Sequence, residues 1–292
     1  MTEAGAREDA VETSGAAGPS VEDWVQAFRG AVEAQKAVFS EHEGIAARTE
    51  YEGVGEGGDH TLVIDRLCED AIFAELERLH DEGHEFEAIS EERGTISFGG
   101  GPPLRVVIDP IDGSMNARRT IPCHSVSIAV ADGDSMADVR LGYVYEFGAG
   151  EEFIATAGAG ATLDGRPIAV PDGDGLEVVA LEATKPERVL KAAHSLQDRA
   201  YRMRAPGSIA VSLCYVAAGR FDGMATGNVS RSVDAAAAQL VVREAGGFVS
   251  FLGHGGVEAR LNLDARYRLV AAQTPEGLDL LAGALTRAGL PG

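Results

Sequence analysis

The segment Val106–Asn116, VVIDPIDGSMN, constrains this chain more than any other stretch. An apolar run of strand type ends in Asp109, turns through Pro110 and presents Asp112 just before Gly113 and Ser114. Two carboxylates held close at a strand end can grip the same hard cations through oxygen. Gly113 lets the backbone approach a ligand, and a helix opening there would aim the N–H groups of Gly113 and Ser114 outward as a phosphate cradle. The same letters also describe a DPxDG turn whose aspartates serve as cap or Asx-turn residues. The rest of the chain decides between the two.

Upstream, EAISEER sets Glu91 and Glu92 directly after an apolar strand. Downstream, SVDAAAAQLVVREAGG sets Asp234 at the start of an alanine-rich helix. Alone, Glu91 reads as a solvated turn residue and Asp234 as a charge complementing a helix dipole. Their order along the chain, on either side of the Asp109 segment, carries more information than either does singly.

Periodicity supplies the frame. Apolar residues at Trp24, Val25, Phe28, Val32 and Val38 follow a Ser20/Glu22/Asp23 start and predict a first helix from Val21. TLVIDRLCEDAIFAELERL predicts a second, with Leu67, Ala71, Ile72, Leu76 and Leu79 on one face and Asp65 near its start. Both read as cover for a sheet. The runs LRVVIDPIDGS, HSVSIAVAD, VRLGYVYEF and EEFIATAGAGATLDG, joined by short turns, predict consecutive antiparallel strands. From about Leu176 onward strands and helices alternate, which predicts a second sheet layer. The expected organisation is an acidic disordered tail over 1–19, an N-terminal α+β subdomain over 20–175 carrying the metal-binding loop, and a C-terminal α/β subdomain over 176–292 supplying Asp234.

Charge narrows the partners. Basic and acidic residues number 25 and 46, a net charge of −21, and only Lys36, Lys185 and Lys191 are lysines. Such a surface repels nucleic-acid backbones and anionic membranes. An acidic surface stripped of lysine suits molar salt, where the Debye length shrinks to about 3 Å, so a halophilic cytoplasm is expected. Cys68, Cys123 and Cys214 have neither disulfide nor zinc spacing and read as small buried hydrophobes. No basic region followed by an apolar run opens the sequence, and no stretch reaches the ~20 apolar residues of a membrane span. His124 reads as a packing residue, and Gly158 and Gly160 in TAGAGA do not extend into a dinucleotide loop.

Taken together, SEER (Ser90–Arg93), DPIDGS (Asp109–Ser114) and VDAAAA (Val233–Ala238) followed by EAGG resemble the signatures of the inositol monophosphatase family, in matching order and spacing from Trp24 to Ala272. The resemblance implies a mixed α/β (α+β) fold, a layered αβαβα sandwich of two α/β subdomains like that of fructose-1,6-bisphosphatase and inositol monophosphatase. It implies a Mg²⁺-dependent phosphomonoesterase acting on a small sugar or inositol phosphate, with two to three Mg²⁺ ions, Mn²⁺ as a substitute, and a homodimer. Glu91, Asp109 and the Ile111 carbonyl would bind one ion, Asp109, Asp112 and Asp234 a second, and Glu91 with water a third. Asp65 and Ser114, with Glu91, would serve the attacking water. Asp112, Gly113, Ser114 and Arg231 would meet the substrate.

Departures from the pattern fall around the substrate: Met115, Ala117 and Arg118 after the loop, Val233 before Asp234, and TGN around Gly227 where animal-type enzymes carry an acidic residue for inositol hydroxyls. Arg231 reads either as a contact for a second phosphate or as a solvent arginine. Fructose-1,6-bisphosphatase, a 3′-phosphoadenosine-type nucleotidase and a catalytically dead regulatory homologue are the competing readings.

Overall fold

The computed structural model describes residues 18–54, 60–100, 104–171, 173, 175–183 and 185–290. The tail expected at 1–19 therefore lies outside the described residues except for Gly18 and Pro19.

Helix α1 (Val21–Glu41) starts where expected. Ser20 is its N-cap: its hydroxyl accepts from the Asp23 N–H at 3.2 Å while the Asp23 carboxylate accepts the Ser20 N–H at 2.9 Å, a reciprocal capping box. A short helix α2 (Gly44–Arg48) and a hairpin of β1 (Tyr51–Val54) and β2 (His60–Leu62) lead into α3 (Val63–Asp81). The buried stripe of α3 runs through Ile64, Cys68, Glu69, Ile72, Phe73, Leu76 and Leu79. It is rotated from the predicted face, and Leu67 and Ala71 are only half-buried.

A large sheet follows: β3 (Phe86–Ser90), β4 (Gly94–Phe98), β5 (Leu104–Asp112), the one-turn helix α4 (Ser114–Arg118), then β6 (Ser125–Ala131), β7 (Val139–Glu146), β8 (Glu151–Thr156), β9 (Gly160–Leu163) and β10 (Arg166–Ile168). Its order is β10-β9-β8-β7-β6-β5-β3-β4. All pairs are antiparallel except β3 with β5, which run parallel. The run EEFIATAGAGATLDG, a single strand by its sequence pattern, is the hairpin β8–β9, because glycines at φ +75° and +88° turn the chain at 158 and 160. The short β4 and β10 and the β1–β2 pair were not foreseen, since three to five residues carry too little periodicity.

The remainder alternates as expected: β11 (Leu176–Glu182), α5 (Pro186–Ser195), β12 (Ala200–Arg204), α6 (Ile209–Ala217), β13 (Gly223–Thr226), α7 (Ala236–Glu244), β14 (Phe248–Phe251), β15 (Leu269–Ala272) and α8 (Pro275–Arg287). These strands form a second sheet ordered β12-β11-β13-β15-β14.

Three apolar clusters define the layers. Helices α1 and α3 cover one face of the large sheet through Trp24, Phe28, Phe73, Val106 and Tyr143. Its other face packs through Val107, Ala129 and Val144 on α6 and α7, which also meet the second sheet at Ala180 and Met224. Leu181, Ala225, Ala192 and Leu281 join that sheet to α5 and α8. The chain is thus an αβαβα sandwich, and α6 and α7 form a middle layer shared by both sheets. Gly142 lets α7 lie close, since a Cβ there would sit 2.4 Å from the Ala237 carbonyl oxygen. Among the described residues no helix is long and apolar enough to cross a membrane.

Candidate metal centre

The chain does not leave the sheet at Asp109, as the sequence suggested; β5 continues through Pro110 to Asp112. Pairing with β6 is irregular there: Asp109 faces Ser127 and Asp112 faces Ser125, so β5 spends one extra residue. Pro110 cannot donate to a ladder, and a bulge at a strand end is where side chains are re-aimed. The Asp109 carboxylate accepts the Ile111 N–H at 3.0 Å, which stiffens the bulge. The buried Gln35 amide of α1 donates to the Pro110 carbonyl at 3.2 Å and to that of Cys68 at 3.1 Å, tying the first helix pair to the site.

Gly113 then takes a left-handed backbone, φ +85°, and a Cβ there would lie 3.0 Å from the Cys123 carbonyl oxygen and 3.1 Å from that of Gly207. The glycine is thus required by conformation and by close approach together. Helix α4 does open at Ser114, but runs only five residues.

Three segments far apart in sequence converge on this strand end. Glu91 follows β3, Asp109 sits on β5, and Asp234 lies in the turn just before α7 rather than in the helix itself. One oxygen of each of the three lies within 4.8 Å of the others. Burial pushes Glu91 up to about 7, with Asp234 and Glu92 adding to the effect and Arg231 opposing it. Burial, and then Glu91, Asp112 and Asp234, hold Asp109 well above the usual carboxylate range. Burial also raises Asp234, against Arg231. Carboxylates crowded this way repel unless cations neutralise them. The donor set is all oxygen, which suits a hard divalent cation such as Mg²⁺ or Mn²⁺, and the residues present fit one.

Asp112 is placed differently. Its Oδ2 accepts the Ser208 hydroxyl and the Ala210 N–H at 2.7 Å, and its Oδ1 accepts the Ile209 N–H at 3.3 Å. It is thus clasped by the N-terminus of α6, and it does not belong to the trio of converging oxygens. Burial still pushes it up to about 7, with the Ser208 bond opposing.

A cleft of about 260 Å³ opens over these groups, bordered by Glu91, Asp109, Ile111, Asp112, Gly113, Ser114, Arg231 and Asp234. A niche of about 30 Å³ beside it is bordered by Asp65, Glu91, Glu92, Asp109, Pro110, Ile111 and Ser114. Every predicted site residue therefore lines one or both spaces. Burial and the nearby Glu92 push Asp65 up to about 6, and its buried Oδ1 has no hydrogen-bond partner. The guanidinium of Arg231 is paired with Glu91 and lies 3.9 Å from Asp234.

Sequence reasoning missed the supports. Glu69, on the buried face of α3, accepts the Ser90 hydroxyl and the Arg93 N–H at 3.2 Å, and so fixes the turn that carries Glu91. Its signal was a glutamate inside an apolar stripe. Glu182, pushed up to about 7 by burial, accepts the Ser212 hydroxyl at 2.6 Å and the Gly207 N–H at 3.0 Å, steadying the loop that holds Asp112. Nothing local distinguished it at a strand end. His124 is buried between Phe39 and Phe147, and burial lowers it to about 4, so it packs as expected. Cys68 and Cys214 are buried, whereas Cys123 is half-buried.

A model of the inositol monophosphatase family matches residues 21–289. The fructose-1,6-bisphosphatase/inositol-1-monophosphatase of Methanothermobacter thermautotrophicus is 35% identical over 229 residues, 75% of this chain and 81% of that protein. The inositol-1-monophosphatase of Mesorhizobium japonicum is 32% identical over 232 residues, 75% of this chain and 84% of its own length. Among solved structures, the inositol monophosphatase–fructose 1,6-bisphosphatase that is the MJ0109 gene product superposes with a TM-score of 0.77 at 28% identity, over 90% of this chain and 99% of that one.

Proposed function

We propose, from the premise that this chain belongs to the inositol monophosphatase family, that its centre hydrolyses a small sugar or inositol phosphate with Mg²⁺. The chain is a phosphoric monoester hydrolase by that membership, and its relatives favour neither a 3′-phosphoadenosine nucleotidase nor a dead regulatory homologue. One observation carries the metal reading: carboxylates from three separated segments that line one cleft meet within 4.8 Å.

Glu91, Asp109 and Asp234, with the Ile111 carbonyl, would hold the cations, and Asp112 would join them from the end of β5, where the start of α6 steadies it. Bound Mg²⁺ activates water and neutralises charge on the phosphoryl group. The chain's own residues supply the rest. The niche beside Asp65 and Ser114 has the size of one water with polar partners on several sides. Asp65, raised to about 6 by burial, is a base matched to neutral pH, and the Ser114 hydroxyl would orient the water toward it. Gly113 and Ser114 border the cleft where the phosphate would lie, and among the described residues lining it none is a cysteine, histidine or lysine.

Phosphate release from sugar and inositol monophosphates should require Mg²⁺ or Mn²⁺ and vanish in EDTA. Full activity in EDTA would sink the reading. The same proposal extends to a homodimer in a salt-rich cytoplasm. With a charge of −21, lowering salt to 10 mM stretches the Debye length to about 30 Å and lets the whole surface repel itself. The melting temperature should rise steeply from 0.05 to 3 M KCl; a flat curve would defeat the halophilic part alone.

A further inference from the structure

Arg231 lies against two members of the carboxylate trio. Its guanidinium is paired with Glu91, its Nε lies 3.9 Å from Asp234 Oδ1, and its own backbone N–H donates to Asp234 Oδ2 at 2.8 Å. The side chain is only 23% exposed. An arginine has donors but no acceptor and stays charged at any working pH, so it cannot share a carboxylate oxygen with a divalent ion without repulsion. The residue before it is held as well: the Ser230 and Tyr267 backbones exchange hydrogen bonds at 2.7 and 3.1 Å. The side chain alone is therefore able to move, and it already borders the 260 Å³ cleft into which it would swing.

We propose that Arg231 is a resident counter-cation of the metal centre. It neutralises Glu91 and Asp234 while no divalent ion is bound, yields to the ion when one enters, and by that competition sets the affinity of the site. The inference rests on the metal reading given under Proposed function. It explains how such a cluster stays folded without a divalent ion. It also moves Arg231 from a substrate contact to a group that controls loading, and only the displaced side chain would be free to meet an anion in the cleft.

The test is Mn²⁺ binding at fixed ionic strength, followed by calorimetry and by the paramagnetic resonance of free Mn²⁺, on the whole chain and on Arg231→Gln and Arg231→Lys. Loss of the competing charge should tighten binding about tenfold in Arg231→Gln, a change of about 1.4 kcal/mol. Its ion-free melting temperature should fall. Arg231→Lys, which keeps the charge, should stay near the parent. Affinity in Arg231→Gln equal to or weaker than the parent, with the parent binding normally, overturns this inference alone. A parent chain that binds no Mn²⁺ overturns the metal reading and this inference together. If Arg231→Gln does not fold, the parent decides through the Nε–Hε resonance of Arg231, identified by its absence in Arg231→Lys. That resonance should shift in step with added Mg²⁺, and an unmoved signal at saturation overturns the proposal.

Discussion

Asp109 and Asp112 lie on the same strand, one bulge apart, and the fold treats them in opposite ways. Asp109 is buried beside Glu91 and Asp234, where its neighbours are like charges and it accepts the Ile111 N–H. Asp112 is buried as well, but its oxygens are met by the Ser208 hydroxyl and by the Ala210 and Ile209 N–H groups at the start of α6. The first carboxylate is left in need of a cation. The second is answered in part by protein donors, which tie the large sheet to the middle layer. Burial by itself does not tell two such acids apart; the identity of the groups that answer their charge does.

The widest gap between the two should appear on removing the Asp109 charge. Asp109→Asn should cost about 10³-fold in phosphate release, the scale of several kcal/mol of lost charge stabilisation. The ion-free protein should at the same time melt higher at pH 8, because one member of a repelling cluster has gone. Wild-type turnover in this variant would erase the distinction.

Next in size is the tie itself. Ser208→Ala removes the hydroxyl that donates to Asp112 and also caps α6 by accepting the Val211 N–H at 3.2 Å. Stability should drop by about 1–3 kcal/mol in urea denaturation, with ion affinity far less affected. A variant that lost Mn²⁺ binding but kept its stability would reverse the roles assigned to the two aspartates.

The smallest effect is the pH dependence of the ion-free protein. Glu91 and Glu182 are raised in the folded state from an ordinary 4.5 to about 7. Folding therefore favours their protonated forms, and the stability they contribute is complete below about 4.5 and lost as pH rises through 7. Thermal melts in EDTA should decline across that window. Added Mg²⁺ should flatten the Glu91 share and leave that of Glu182, which lies beside the Asp112 loop. Equal slopes with and without Mg²⁺ would show that the Glu91 side of the site does not bind the ion.

Much of this was legible from the chain alone. Helical spacing placed α1 and α3, because an amphipathic stripe over ten or more residues is a signal that packing rarely overrides, and alternation with strands placed the helices after Leu176. The ordered acidic motifs point to Glu91, Asp109, Asp112 and Asp234; the fold brings an oxygen of Glu91, Asp109 and Asp234 within 4.8 Å and sets Asp112 against the start of α6. Less legible were the short pieces β1, β2, β4 and β10, whose pairing comes from neighbouring strands rather than from their own pattern.

What the sequence determined, then, is the set of carboxylates, the bulge-prone Pro110 beside them and the two kinds of layer, since each depends on residues close together along the chain. What only the tertiary structure decided is the answer to each charge. Arg231 reaches Glu91 across 140 positions, and Ser208 reaches Asp112 across 96. Electrostatic and hydrogen-bond energies fall off with distance in space and take no account of separation in sequence, so these pairings exist only once the layers have stacked.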